Sequence, residues 1–152
     1  MYEHSELEQC FECIRQGGWT RFVTLKYPRD GSLKHKGPRA PSAEDAFAEW
    51  VYEMSTPNCR DSFDGYVRVT ERRDNGDVLF HVLLQGGYSE GFEKHWRWRW
   101  FEKSAGAAWE RRLDEKIEGL FRYFFFTVRC DIECCVGGGV TGCRAAEDTR
   151  ST

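Results

Sequence analysis

The chain has 152 residues and a formal net charge of −3 at pH 7, with 31% charged and 15% aromatic residues. This length suits one domain with a real core and is too short for a nuclease joined to a helicase. The small negative charge argues against tight nucleic-acid binding through the field of the whole protein. Any such binding must therefore depend on local basic clusters.

The first residues, MYEHSELEQC, lack the pattern of a signal peptide, and no run of 18 apolar residues is present. The seven cysteines are an odd number without the regular spacing of a secreted disulfide scaffold. We therefore expect reduced thiols and a soluble, cytoplasmic protein. Cys10-x-x-Cys13 and a second cysteine group at 130–143 also suggest zinc, but Cys10 belongs to the apolar face of a predicted helix and the second group has no C-x-x-C spacing. Zinc is therefore the weaker interpretation.

The predicted elements begin with a short amphipathic helix that ends at Gly17. Four apolar residues recur there at helical spacing: Leu7, Cys10, Phe11 and Ile14. Residues 19–27 (WTRFVTLKY) are rich in β-branched and aromatic side chains and predict a strand. The stretch 28–41, rich in Gly, Pro and Lys, predicts a loop.

A second helix is predicted after residue 41, with Ser42 and Asp45 forming its N-cap. Its apolar stripe has a period of 3.6 residues: Ala43, Ala46, Phe47, Trp50, Val51 and Met54. Next, the segments YVRVTER and DVLFHVLL flank Asp74-Asn75-Gly76. This pattern predicts a β-hairpin whose turn needs the positive φ that glycine accepts.

The C-terminal half predicts two more helices. The segment HWRWRW fits both strand alternation and helical spacing, and we favour a helix. A further apolar stripe predicts the last helix: Leu113, Ile117, Leu120, Phe121, Phe124 and Val128. Another short strand is expected near Trp109 or after Arg129. The order of elements predicts an α+β fold, a small antiparallel sheet with helices packed on one face and the other face open for a ligand.

Three segments stand out together: an apolar strand, FVTLKYP (22–28); a hairpin, YVRVTERRDNGDVLFHVLL (66–84); and a helix, GLFRYFFF (119–126). In this order they resemble the motifs of HUH-type rolling-circle replication initiators, the Rep endonucleases. Together they span about residues 19–130. The resemblance implies a ferredoxin-like sheet in one HUH-like nuclease domain over residues 1–136, and we expect a disordered tail over 137–152.

The resemblance also implies an activity, in which Tyr123 nicks and joins single-stranded DNA with a divalent metal, Mn or Mg, on His81 and Glu71. Its partner would be single-stranded DNA at the replication origin of a plasmid or virus, with a host helicase to unwind the duplex. Six basic residues are the candidates for contacting DNA: Lys26, Arg29, Lys34, Lys36, Lys116 and Arg122.

The hairpin turn decides whether Glu71 and His81 share a face of the sheet. With a three-residue loop, 74–76, Glu71 opposes Leu79 and lies on the same face as His81. A two-residue loop turns Glu71 away from His81. The metal hypothesis therefore depends on this register.

Two departures from the family pattern support a second hypothesis. The family has two histidines flanking one apolar residue, whereas Leu79 stands here in place of the first one. The family's lysine after the tyrosine is also missing, with Phe126 and Thr127 in that region. The second hypothesis is a catalytically decayed HUH-fold DNA-binding or regulatory protein, and a third is an unrelated α+β interaction domain. For His81 and Tyr123 the ordinary alternatives are a hydrogen-bonded strand histidine and a packed tyrosine with its hydroxyl in water.

The tryptophans of HWRWRW have two interpretations. Trp96, Trp98 and Trp100, with Arg97 and Arg99, could stack on and neutralise single-stranded DNA. Such tryptophans more commonly belong to the core, which is the interpretation we favour.

Overall fold

The sheet and helices are seen in a computed structural model, which describes residues 4–54, 63–86, 90–136 and 139–143. The helices in these ranges are α1 (His4–Gln16), α2 (Ala43–Met54), α3 (Glu90–Ser104) and α4 (Ile117–Tyr123), followed directly by a π-helical segment (Phe124–Val128). The strands are β1 (Arg21–Tyr27), β2 (Phe63–Arg72), β3 (Val78–Gly86), β4 (Ala108–Arg111), β5 (Asp131–Val136) and β6 (Gly139–Cys143).

The six strands form one sheet in the order β4-β1-β3-β2-β5-β6, and every neighbouring pair is antiparallel. From β1 to β4 the elements follow the order strand, helix, strand, strand, helix, strand, which is the split βαβ arrangement of ferredoxin-like folds. The predicted α+β class with an antiparallel sheet is therefore confirmed. Strand β3, which carries His81, lies between β1 and β2.

Helices cover both faces of the sheet, which corrects the expected arrangement with one open face. Helices α2 and α3 pack on one side, the α2/α3 face, while α1, α4 and the π-helical segment pack on the other, the α1/α4 face. The reason is the sequence of β3, which places apolar residues on both faces of the sheet. Phe80 and Val82 face α2 and α3, whereas Leu83 faces α1 and α4. A strand with this near-continuous apolar sequence is stable only when both of its faces are covered.

The hairpin has the register that a three-residue loop predicts. Glu71 pairs with Leu79 across β2 and β3, and the Arg73 amide donates a hydrogen bond to the Asp77 carbonyl at 2.9 Å. Gly76 has a φ of +97°, the backbone conformation that this turn requires and that side-chain-bearing residues rarely adopt. The predicted turn and register are thus confirmed.

The segment HWRWRW is helical and lies within α3. Trp96 and Trp100 are fully buried against the sheet, whereas Trp98 is 58% exposed. The Trp100 Nε1–H donates a hydrogen bond to the Lys26 carbonyl at 2.9 Å, so its polar atom is satisfied in the core. Two of the three tryptophans therefore have the structural role that we favoured.

The C-terminal region also departs from expectation. Part of the predicted disordered tail, Gly139–Cys143, is a strand paired with β5, and residues 137–138 and 144–152 lie outside the described ranges. The strand near Trp109 and the strand after Arg129 are both present, as β4 and β5. The five cysteines whose side chains are described form no disulfide with one another. In the described ranges, no helix has the length and apolar character needed to cross a bilayer.

The two sides of α3 give a stability prediction. Trp100→Ala should lower the free energy of unfolding by about 3–5 kcal/mol, because it leaves a cavity between α3 and β1. Trp98→Ala, on the exposed side of the same helix, should change it by about 0.5 kcal/mol or less. Urea unfolding followed by circular dichroism measures both. Equal losses in the two variants would contradict the orientation of α3.

Candidate functional site

The candidate site is centred on His81, which lies in the middle of β3 on the α1/α4 face and is 3% exposed. Its Nδ1 is 2.9 Å from Thr24 Oγ1 on β1, directly across the strand pair. Its Nε2 is 2.9 Å from Glu71 Oε1 on β2. One imidazole thus joins three adjacent strands, β1, β3 and β2.

The hydrogen bonds around His81 form a continuous chain. Arg111 on β4 donates to Thr24 Oγ1 at 3.3 Å, and Arg73 donates to the second oxygen of Glu71 at 3.3 Å. One neutral tautomer satisfies every link: the Thr24 hydroxyl donates to Nδ1, and Nε2–H donates to the Glu71 carboxylate. The network is complete without any further ligand.

Phe124, the first residue of the π-helical segment, covers this network from above. Its ring is stacked on the imidazole with centroids 4.6 Å apart and an angle of 6° between the planes. Phe124 is itself anchored by Phe121, which is fully buried and packs on Phe22 of β1. The π-helical segment ends at Val128 and is followed by Arg129, whose φ of +64° is left-handed. The fold of this segment therefore determines how the His81 ring is covered.

Burial and hydrogen bonding set the charges of the pair. Burial lowers the pKa of His81, and the hydrogen bond to Glu71 offsets this only in part. Burial acts to raise the pKa of Glu71, but the hydrogen bond from His81, with the charge and hydrogen bond of Arg73, holds that pKa below its usual value. At neutral pH the pair therefore consists of a neutral His81 and an ionised Glu71.

A divalent metal does not fit this pair as it is arranged. A metal ligand must offer a free lone pair. In the tautomer that satisfies every link, Nδ1 of His81 accepts a hydrogen bond from Thr24 and Nε2 carries a proton towards Glu71, so neither nitrogen offers one. Across the described part of the chain, no group of three or more His, Cys, Asp or Glu side chains is arranged to hold a metal ion. The metal role of His81 and Glu71 stays a prediction that this donor geometry does not favour.

Thr24, His81 and Glu71 also form the hydroxyl, imidazole and carboxylate series that hydrolases use for nucleophilic attack. A nucleophile must reach its substrate, however, and Thr24 is 0% exposed between β3 and β4. Its oxygen also accepts a hydrogen bond from Arg111. The series is therefore structural and does not support a hydrolase.

Tyr123 lies at the end of α4, next to Phe124, and its side chain is 53% exposed. The rings of Tyr123 and Phe124 are 6.4 Å apart between centroids. The predicted nucleophile is therefore at the surface, one residue from the ring that covers His81.

The six predicted DNA-contacting residues do not form one surface around His81. Lys26 is 3.5 Å from Asp77, and Arg122 pairs with Glu118 at 3.0 Å. Arg122 also lies over the Phe11 ring, and Arg29 packs against the hairpin turn. The other three are exposed, two in the loop between β1 and α2 and one before α4: Lys34, Lys36 and Lys116.

Four residues of the network were not predicted from the sequence: Thr24, Arg73, Arg111 and Phe124. Thr24 lies inside FVTLKYP, and pairing β1 with β3 in the correct register would have placed it opposite His81. Arg111 belongs to the short strand that was expected only approximately. No pattern in the sequence signals that Phe124 stacks on His81, because this contact depends on the π-helical turn.

No protein-family model, no curated protein and no solved structure matches the chain. Its function is therefore inferred from its own residues.

The lowered pKa of His81 predicts that acid destabilises the protein. As the pH falls below 6.5, the unfolded chain takes up a proton that the folded His81 resists, so the free energy of unfolding decreases. Each unit of difference between the folded and unfolded pKa corresponds to about 1.4 kcal/mol. His81→Gln should therefore show a shallower pH dependence below pH 6.5 than the wild type, measured by urea unfolding at a series of pH values. Equal slopes in the two proteins would mean that the folded imidazole titrates normally.

Proposed function

We propose that this chain is a replication-initiator-like protein that binds single-stranded DNA without cutting it, its metal site having become a hydrogen-bonded structural network. The observation that carries the proposal is the meeting of three segments at one imidazole. Thr24 comes from FVTLKYP, Glu71 and His81 come from the hairpin, and Phe124 comes from GLFRYFFF. These are the segments that resemble successive motifs of the HUH initiators.

The same contacts explain why the proposal favours binding over cutting. Attack by a tyrosine on phosphorus needs a metal that polarises the phosphate, because an unassisted phenol is a weak nucleophile. His81 has no lone pair free for such a metal, and Leu79, in place of the first family histidine, is 2% exposed and packed in the core. The residues that would hold the metal instead stabilise the sheet.

Binding of DNA is supported by charges that the fold leaves available. Lys34, Lys36 and Lys116 are exposed and form no ion pair with any residue in the described ranges. In a chain with a net charge of −3, such local groups must supply the attraction to phosphate. In this proposal the protein acts in the cytoplasm, on single-stranded DNA at a plasmid or viral origin, with a host helicase.

An active nickase is the second candidate, and Tyr123 is the observation that favours it. The tyrosine is half exposed at the junction between α4 and the π-helical segment. Short π-helical turns occur frequently at functional sites. If that segment unwinds on DNA, Phe124 leaves the His81 ring and Tyr123 moves with it.

The two candidates are distinguished by a covalent protein–DNA adduct, which the nickase forms and the binding protein does not. With Mn²⁺ and labelled single-stranded origin-type DNA, the wild type should bind the strand, more weakly as salt increases, and should leave no protein–DNA adduct on a denaturing gel. Tyr123→Phe should bind as the wild type does. Tyr52→Phe is the matched control, since Tyr52 is a 73% exposed tyrosine on α2.

An adduct that Tyr123→Phe abolishes and Tyr52→Phe retains would favour the nickase over the proposal. Absence of any binding to single-stranded DNA would contradict both candidates and leave the unrelated interaction domain.

A further inference from the structure

A cleft of about 570 Å³ lies between α3 and the loop that joins β1 to α2. Its volume is within the usual range for ligand sites. It is on the α2/α3 side of the sheet, and the His81 network is on the other side. The cleft therefore makes no use of the residues considered so far for catalysis.

One wall of the cleft is aromatic. Trp98 is 58% exposed and stacks with Phe101, one turn away on α3, with centroids 5.9 Å apart and planes 30° apart. Trp96 and Trp100, on either side of it, are fully buried. Among these three tryptophans, Trp98 is therefore the one whose ring lies at the surface. An accessible indole ring can stack on a nucleic-acid base.

The other wall is basic. Lys34 and Lys36 are exposed, and neither has a carboxylate partner among the described residues. The loop between them is held against α3 by His35, whose Nε2 is 2.9 Å from the Glu102 carbonyl and whose ring meets Phe101 edge-on at 5.2 Å. The two ammonium groups are therefore presented beside the aromatic wall by a fixed backbone.

The remaining charges of the cleft are partly compensated. Lys103 is bound to Glu53 at 2.9 Å, so it contributes little free positive charge. Glu102 supplies a carboxylate to the lining. Lys34 and Lys36 leave a local excess of positive charge over that carboxylate, which favours a ligand with repeated negative charges.

We propose that this cleft binds single-stranded nucleic acid, with a base stacked on Trp98 and backbone phosphates against Lys34 and Lys36. The inference rests on the proposed function and assigns it a surface. A single strand fits both walls, because its bases offer free faces for stacking and its backbone carries one charge per nucleotide. A duplex fits less well, because its bases are stacked on one another and offer no free face to Trp98. An acidic peptide would pair with Lys34 and Lys36 but would not need the indole ring.

The test measures the binding of a labelled oligothymidylate by fluorescence anisotropy at several salt concentrations. Trp98→Ala should weaken binding roughly 5- to 150-fold, the effect of losing one stacked base. Trp98→Phe keeps a ring and should lose less. The double variant Lys34→Gln and Lys36→Gln should reduce the slope of log affinity against log salt by about 1.4, or 0.7 for each lost phosphate contact. A duplex of the same length should bind more weakly than the single strand.

Two controls have the same chemistry elsewhere on the surface. Tyr52→Ala removes an exposed aromatic ring from α2, and Arg112→Gln removes an exposed basic group that follows β4 and does not line the cleft. Both should bind as the wild type does. The circular dichroism of every variant should match the wild type, because each change is at an exposed side chain.

Wild-type affinity in both Trp98→Ala and the double lysine variant would overturn the cleft as the binding surface, while the proposed function would stand. A larger loss in Arg112→Gln than in the double variant, or preference for the duplex, would overturn it too. If the wild type fails to bind any single strand, the proposed function itself fails, which is a different result from either of these.

Discussion

A buried imidazole must find hydrogen-bond partners inside the protein, because it has given up those of water. Both nitrogens of His81 find them on neighbouring strands, at 2.9 Å from Thr24 and 2.9 Å from Glu71. Removing either partner would leave a buried nitrogen unsatisfied, at a cost of about 1–3 kcal/mol. Phe124 then closes over the ring. One side chain therefore couples the register of three strands to the position of the helix that ends in Tyr123.

The same constraint separates stability from metal chemistry at this site. A metal centre needs donors with free lone pairs, whereas a structural network needs every donor and acceptor paired. His81 and Glu71 cannot fully meet both requirements at once, and their contacts are those of the network. Binding of a nucleic acid then depends on other surfaces. The cleft beside Trp98 offers one on the opposite side of the sheet, so binding there and the integrity of the His81 network can vary independently.

Local patterns predicted much of this arrangement. The turn at Gly76 determined which residues share a face with His81, and the observed pairing of Glu71 with Leu79 follows from it. Contacts between distant segments were harder to predict. Strand β3 has apolar residues on both of its faces, and this pattern indicates that helices cover both faces of the sheet. The stacking of Phe124 on His81 could not be predicted from the sequence, because Phe124 belongs to the same apolar stripe in an α-helix and in a π-helix.

The protonation state of His81 distinguishes a structural network from a metal site. A multiple-bond ¹H–¹⁵N correlation spectrum of the imidazole at pH 7 identifies the tautomer, and titration with Mn²⁺ reports any coordination. In the hydrogen-bonded network we expect a neutral ring protonated on Nε2, with Nδ1 unprotonated and with no selective broadening by Mn²⁺. A ring protonated on Nδ1 or on both nitrogens, or His81 signals broadened by Mn²⁺ before those of exposed histidines, would contradict it.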